Sequence, residues 1–164
     1  MKNKGFSLVE LIIVIAIMAI LAAAIAPALI RYIDKSRRSD DVAAAETINT
    51  ATQAALANEE AYDEVQSDMP TSAGAFTILA TAPCGGPFVK GSGASGSIAT
   101  FLGEINSSCG GNSPKLKFKK GFGGAKPGHW TIGANDAGKP VVWLGSAANG
   151  TTWELQPDIC ASYK

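Results

Sequence analysis

Charge is scarce in this chain. Charged residues fill 17% of its 164 positions, where a soluble globular domain carries about 25%. Neither sign prevails, since 14 basic residues stand against 14 acidic ones. That balance argues against a strongly basic nucleic-acid binder and against an acidic tail. Hydrophobic residues reach 46%, which excludes a disordered, highly charged polymer. Histidine occurs once, as His129. No Cys–His spacing reads as a zinc site. Cys84 with His129 lacks the orienting third residue of a nucleophile–base array. Asn135-Asp136 lacks the run of acidic ligands that a calcium loop needs and reads as a turn. Gly91-Ser92-Gly93-Ala94-Ser95-Gly96 has no Lys-Ser/Thr after it, so it reads as a flexible loop rather than a phosphate cradle. No enzyme, cofactor or metal is implied.

What is present is distributed unevenly. Phe6 to Ile30 is a run of 25 residues with one charge, Glu10. As a helix it spans about 37 Å, enough to cross a hydrocarbon core of about 30 Å. Lys2 and Lys4 precede it with no acid, and a basic start before an apolar run is a membrane-targeting signal. Three readings compete. A secretory signal peptide accounts for Ala22-Ala23-Ala24 and Ala24-Ile25-Ala26, but it puts Glu10 in a segment that should be apolar and Pro27 beside the cut. A plain anchor helix leaves Glu10 unexplained, since a carboxylate costs about 2.5 kcal/mol or more at the bilayer centre.

The third reading explains Glu10. Gly5-Phe6-Ser7-Leu8-Val9-Glu10 resembles the processing motif of type IV pilins and of the pseudopilins of type II secretion and DNA-uptake machines. The pattern is a short basic leader, Gly, Phe, Ser or Thr, Leu, any residue, Glu, then about twenty apolar residues, and each element is present in order. The resemblance is close over residues 1–30 and general to about residue 65. It implies that a prepilin peptidase cuts between Gly5 and Phe6 and that the new Phe6 amine is methylated. It also implies that Glu10 promotes ordered addition of subunits by partnering a Phe6 amine, its own or a neighbour's. A helix N-terminus carries about half a positive charge and the amine a full one, and that charge needs a partner when buried. Pro27 falls where many pilins carry a proline. The glycine many of them have eight residues earlier is Ala19 here. Alanine favours the helix that glycine would loosen, while Pro27 removes a donor and weakens the preceding turn. Charge alone does not orient the segment, because Arg31, Lys35, Arg37 and Arg38 flank its far end.

Beyond Ile30 the composition turns polar but helical spacing continues. Val42, Ala45, Ile48, Thr52, Ala55 and Tyr62 share one face of an amphipathic helix, widened by Leu56 and Val65. Asp34–Arg38 and Arg37–Asp41 are i,i+4 pairs on the side expected to be exposed. No glycine or proline interrupts residues 28–69, and Pro70 ends the pattern. One helix is predicted from about Phe6 to about Gln66, its second half with one apolar face for a partner sheet.

Seventeen of the 18 glycines lie between Gly74 and Gly150, so short strands and tight turns are expected there. Thr71–Ser113 reads as irregular, with a short helix over Ile98–Asn106. Strands are predicted at Leu116–Lys120, His129–Ala134, Pro140–Leu144 and Thr151–Gln156, with turns at Asn135-Asp136-Ala137-Gly138 and Ala148-Asn149-Gly150. The expected fold class is α+β, a long N-terminal helix packed on a small antiparallel sheet, as in pilins. Its parts are a leader at 1–5, a membrane or filament-core half-helix at 6–30, an amphipathic half at 31–66, and a head at 67–164 with its sheet at about 115–156.

Lys115, Lys117, Lys119 and Lys120 form the one basic cluster. It reads either as a weak, salt-sensitive contact for DNA or another anion, or as lysines guarding an edge strand. Three cysteines are an odd number for an exported chain. In type IV pilins a disulfide often ties the C-terminal segment to the sheet, which here implies Cys109–Cys160, with Cys84–Cys160 as the other option. Such a bridge adds about 2–4 kcal/mol, and the alternative is three reduced thiols. The resemblance thus implies a structural subunit that polymerises with copies of itself, held in the bacterial cytoplasmic membrane before assembly and on the cell surface after it. Its implied partners are the prepilin peptidase and the assembly ATPase and platform. Motility, adhesion and DNA uptake are all functions of the family. A pseudopilin is the alternative within the class, and a membrane-tethered binding or enzymatic domain the alternative outside it.

Overall fold

The computed structural model describes residues 6–122 and 124–164. The chain divides into two compact units, Met1–Ser36 and Arg37–Lys164. Helix α1 covers Leu8–Ala57, with Pro27 inside it. Alanine, leucine and isoleucine hold the helix through the apolar run. Pro27 has no N–H to give the Ala23 carbonyl, yet the helix continues past it. Within the first unit every described residue except Asp34 is exposed, including Ile12, Ile15, Ile20 and Leu21. Among the described residues this is the one helix long and apolar enough to cross a membrane.

In the second unit the remainder of α1 has a buried face made of Asp41, Ala45, Ile48, Ala51, Thr52 and Ala55. The helix does not run on to Gln66 as the sequence predicts. It stops at Ala57, and α2 follows at Glu59–Gln66. The cause is Asn58, whose backbone is extended (φ −81°, ψ 122°) and whose Oδ1 accepts from the N–H groups of Glu60 (3.0 Å) and Ala61 (3.3 Å). An asparagine that caps a new helix competes with continuation of the old one. The break rephases the stripe: Ala61 and Val65 are buried, and Tyr62 is exposed.

The sheet has five antiparallel strands in the order β2-β1-β3-β4-β5: β1 Phe76–Pro83, β2 Val89–Lys90, β3 His129–Asn135, β4 Pro140–Gly145 and β5 Trp153–Gln156. Helix α3, Ala99–Ser108, connects β2 towards β3. The last three strands follow the predicted positions closely. The first does not: β1 arises in a stretch read as irregular. Its Leu79–Ala82 run is buried without alternation, because a central strand covered on both faces has no polar side to reveal it. One face of the sheet shares a single core with the helices, in which Ile48, Ala55 and Val65 join Phe101, Ile105, Trp130, Ile132, Leu144 and Leu155.

Leu116–Lys120 is not a strand. Its alternation is real, since Leu116 and Phe118 are buried and Lys117 and Lys119 exposed, but the backbone N–H groups of Lys117 and Phe118 point at the Asp41 carboxylate instead of another strand. The edge-guarding role of these lysines therefore lapses with the strand.

Gly133 marks the tightest point of the sheet. A Cβ there would collide with the Thr77 carbonyl oxygen and stand 2.8 Å from the Trp143 indole. Gly133→Ala is expected to destabilise the chain by about 1–3 kcal/mol. Chemical denaturation of the detergent-solubilised protein should show this as a lower midpoint with an unchanged slope.

Candidate functional site

At the N-terminus, α1 begins in the motif itself. Ser7 precedes the first helical residue, Leu8, and Glu10 stands three residues after Ser7. The Ser7 N–H donates to Glu10 Oε2 at 3.0 Å. This is one half of a Ser-x-x-Glu capping box. The carboxylate thus satisfies a backbone donor that the first turn leaves unpaired, one residue from Phe6. The exposed Phe6 side chain lies in the described part. Gly5, the other side of the expected cleavage, lies outside the described residues, as do Lys2 and Lys4. The Ser7-to-Glu10 spacing carried this local role in the sequence.

In the second unit a polar knot replaces the exposed ion pair expected of Arg37–Asp41. Asp41 is fully buried, and its two oxygens accept from Lys117 N at 2.8 Å and Phe118 N at 3.0 Å. One turn earlier, Arg38 donates from Nη1 to the Ser162 carbonyl at 3.1 Å, and its guanidinium carbon lies 5.8 Å from the Phe118 ring centre. Two consecutive carboxylate-to-backbone bonds and an arginine-to-tail bond tie the 117–118 segment and the C-terminal turn to one helix face. Phe118, Phe122 and Tyr163 pack ring against ring around the knot, with centroids 5.1–6.1 Å apart. Burial lifts the Asp41 carboxyl above its usual range despite the two N–H groups that favour its charged form.

The cysteines surround the same region. All three are free thiols, so neither the Cys109–Cys160 nor the Cys84–Cys160 bridge is formed. Burial, with the Asp41 charge adding to it, pushes the Cys84 thiol up to about 12, which leaves it neutral and unreactive at physiological pH. Burial lifts the Tyr163 phenol as well, with the charges of Asp41, Cys160 and Cys84 adding to the effect. Cys84 and Cys160 thus share the Tyr163 neighbourhood, while the Cys109 thiol responds to burial alone. His129 pairs with Pro83 across β1 and β3, next to Cys84 in the chain, but a neutral thiol gives that proximity no chemistry.

The basic cluster divides. Lys115 and Lys119 line a cleft together with Lys126, beside Cys84 and Gly85. Lys117 and Lys120 do not line it. Lys126 lies outside the sequence cluster, and only the fold brings it to the other two. Among the described residues no group of three or more His, Cys, Asp or Glu side chains could hold a metal ion.

An exposed apolar helix that begins in a capped Ser-x-x-Glu turn, and a unit in which a helix packs on an antiparallel sheet, make an α+β, pilin-like arrangement. Residues 1–26 match the family described as the prokaryotic N-terminal methylation motif. The type IV major pilin protein PilA of Myxococcus xanthus (strain DK1622) is 31% identical over 68 residues, a stretch that is 42% of this chain and 31% of that protein's length. No solved structure matches the chain. The chain therefore carries the prepilin-type N-terminal motif of the type IV pilins and pseudopilins.

Asp41→Ala leaves the buried Phe118 N–H and the partly buried Lys117 N–H without their acceptor and is expected to cost about 2–4 kcal/mol, measured by denaturant unfolding. The pH dependence has a definite sign. With its native pKa raised, the folded carboxyl binds a proton that the unfolded one releases. The stability due to this group is full below the unfolded value of about 3.8 and is lost as pH rises through the native value. Asp41→Asn should flatten that part of the stability profile.

Proposed function

We propose that this chain is the structural subunit of a type IV pilus. The observation that carries the reading is the exposed apolar half of α1 with a carboxylate in its first turn. Such a surface is stable in lipid or against copies of itself, and a filament of identical helices supplies the second once the chain leaves the first. The precursor sits in the cytoplasmic membrane with residues 6–30 across the bilayer. A prepilin peptidase removes residues 1–5 and the Phe6 amine is methylated. Assembly by the pilus ATPase and platform then moves the chain into an extracellular filament.

Glu10 has a role at each stage. In the precursor it accepts from the Ser7 N–H. After cleavage a charged amine stands at Phe6, one residue from that hydrogen bond. In a filament core free of water the amine and the carboxylate neutralise each other, within one chain or between neighbours. Neither charge then enters the core alone. The role is structural.

The mass of the mature chain tests the reading. Loss of residues 1–5 and gain of one methyl group, with Phe6 first, is expected. A chain starting near Ile25 or Pro27, or one retaining Met1, would contradict it. For the carboxylate, Glu10→Ala should leave cleavage intact while cutting filament yield by about tenfold or more, since an uncompensated buried charge costs several kcal/mol. Electron microscopy of sheared surface fractions reads the yield, and normal filaments from that variant would refute the role.

A further inference from the structure

The sheet of the second unit has two unlike ends. Strand register identifies them: Phe76 pairs with Asn135 at one end and Pro83 with His129 at the other. Seven strand steps separate them, about 23 Å.

At the Pro83 end opens a cleft of about 550 Å³ carrying Lys115, Lys119 and Lys126 and no carboxylate. All three lysines are exposed. The stem of Lys115 lies against Gly85, with its Cγ 3.1 Å from where a Cβ would stand, so that lysine is braced at the cleft wall. A second cavity, of about 260 Å³, reaches from Phe76 and Asp136 across to β5 and carries Asp136, Glu154 and Asp158 and no lysine or arginine. Phe76 and Trp143 form its apolar wall, their ring centroids 4.8 Å apart and tilted by 45°. Glu154 is the cross-strand partner of Trp143, which puts a carboxylate and an indole side by side on one sheet face. Phe76 is 49% exposed, a large ring left at the rim of an acidic cavity.

An acidic cavity with an aromatic wall suits a primary ammonium. The carboxylates supply charge, the rings supply a cation–π face, and the methylene stem of a lysine packs on apolar surface. The same molecule presents three such ammonium groups in the cleft beside Pro83. We propose that the Lys115–Lys119–Lys126 cleft of one copy docks on the Asp136–Glu154–Asp158 cavity of the next, with lysine placed beside Phe76. The contact rests on the filament reading and names the surfaces that join successive copies. Two different patches make a heterologous contact, which repeats from copy to copy without using up either surface and builds an open helical array. Complementary charge then selects the partner and its register. A nucleic acid accounts for the lysines alone and would be repelled at the acidic end. A second copy accounts for both ends.

Carbodiimide treatment of assembled filaments of the unaltered chain tests the contact. It joins a lysine to a carboxylate only when they touch, and filaments grown from mixed 14N- and 15N-labelled chains separate a bond between copies from one within a copy. Mass spectrometry should find Lys115, Lys119 or Lys126 joined to Asp136, Glu154 or Asp158. Lys115→Glu with Lys119→Glu and Lys126→Glu should cut filament yield about tenfold, and so should Asp136→Lys with Glu154→Lys and Asp158→Lys. All six changes together should restore it to within about threefold, because a swapped charge pair regains its complementarity. Filaments that show no such bond, or a triple lysine variant that assembles normally, would overturn the contact, and in the latter case loss of DNA binding would reassign the cleft to nucleic acid. An unaltered chain that forms no filament would overturn the filament reading and this contact with it, whereas a filament lacking the bond overturns the contact alone.

Discussion

An apolar helical surface of 25 residues in contact with water is the constraint on which everything else in this molecule depends. Each leucine, isoleucine or valine left in water forgoes about 1.5–3 kcal/mol of burial, and the run from Phe6 to Ile30 holds many of them. No part of the first unit covers them. In the proposed reading, lipid and then other copies of the helix do so. Once that is required, the single charge in the run acquires its meaning, because a carboxylate survives in such an environment only with a partner. In the precursor it has one, the Ser7 N–H. In the proposed reading, cleavage before Phe6 supplies a stronger one.

The second unit depends in a similar way on one carboxylate. Asp41 is placed by the helix, yet it organises two segments far from it in sequence: the 117–118 backbone by direct hydrogen bonds and, through Arg38 and the rings around it, the C-terminal turn. A buried carboxylate is costly alone. With two N–H donors it becomes a fixed point for a stretch of chain that has no strand to pair with. The lysines of that stretch are exposed for the same reason: Leu116 and Phe118 face inward, so Lys115, Lys117 and Lys119 face out. The helix residue that ties the segment down thereby helps to place two walls of the basic cleft.

The features legible in the sequence were those with local physical signatures. The leader motif, the apolar run and the strands β3, β4 and β5 all show as spacing within a few residues. The misreadings share a cause, which is that a partner distant in the chain decided the outcome. Residues 116–120 alternate as a strand does, but their hydrogen bonds go to Asp41, some seventy-six positions earlier. Strand β1 lacks alternation because both its faces are covered. Asp41 sits at a spacing suited to a surface pair with Arg37, and nothing near it in sequence marks it as buried. Lys126 joins Lys115 and Lys119 only through folding. Asn58 differs, since its break is local, but within a glycine-free and proline-free run a lone asparagine is a weak stop signal.

The central claim, that the apolar half of α1 is shielded first by lipid and then by copies of itself, is most directly tested by water access at one position within it. An Ile15→Cys chain, labelled with a membrane-impermeant maleimide in intact membranes and again in assembled filaments, gives that access when the labelled peptide is quantified by mass spectrometry. The account predicts protection of residue 15 in both states and labelling after denaturation. Ready labelling of residue 15 in assembled filaments would contradict it.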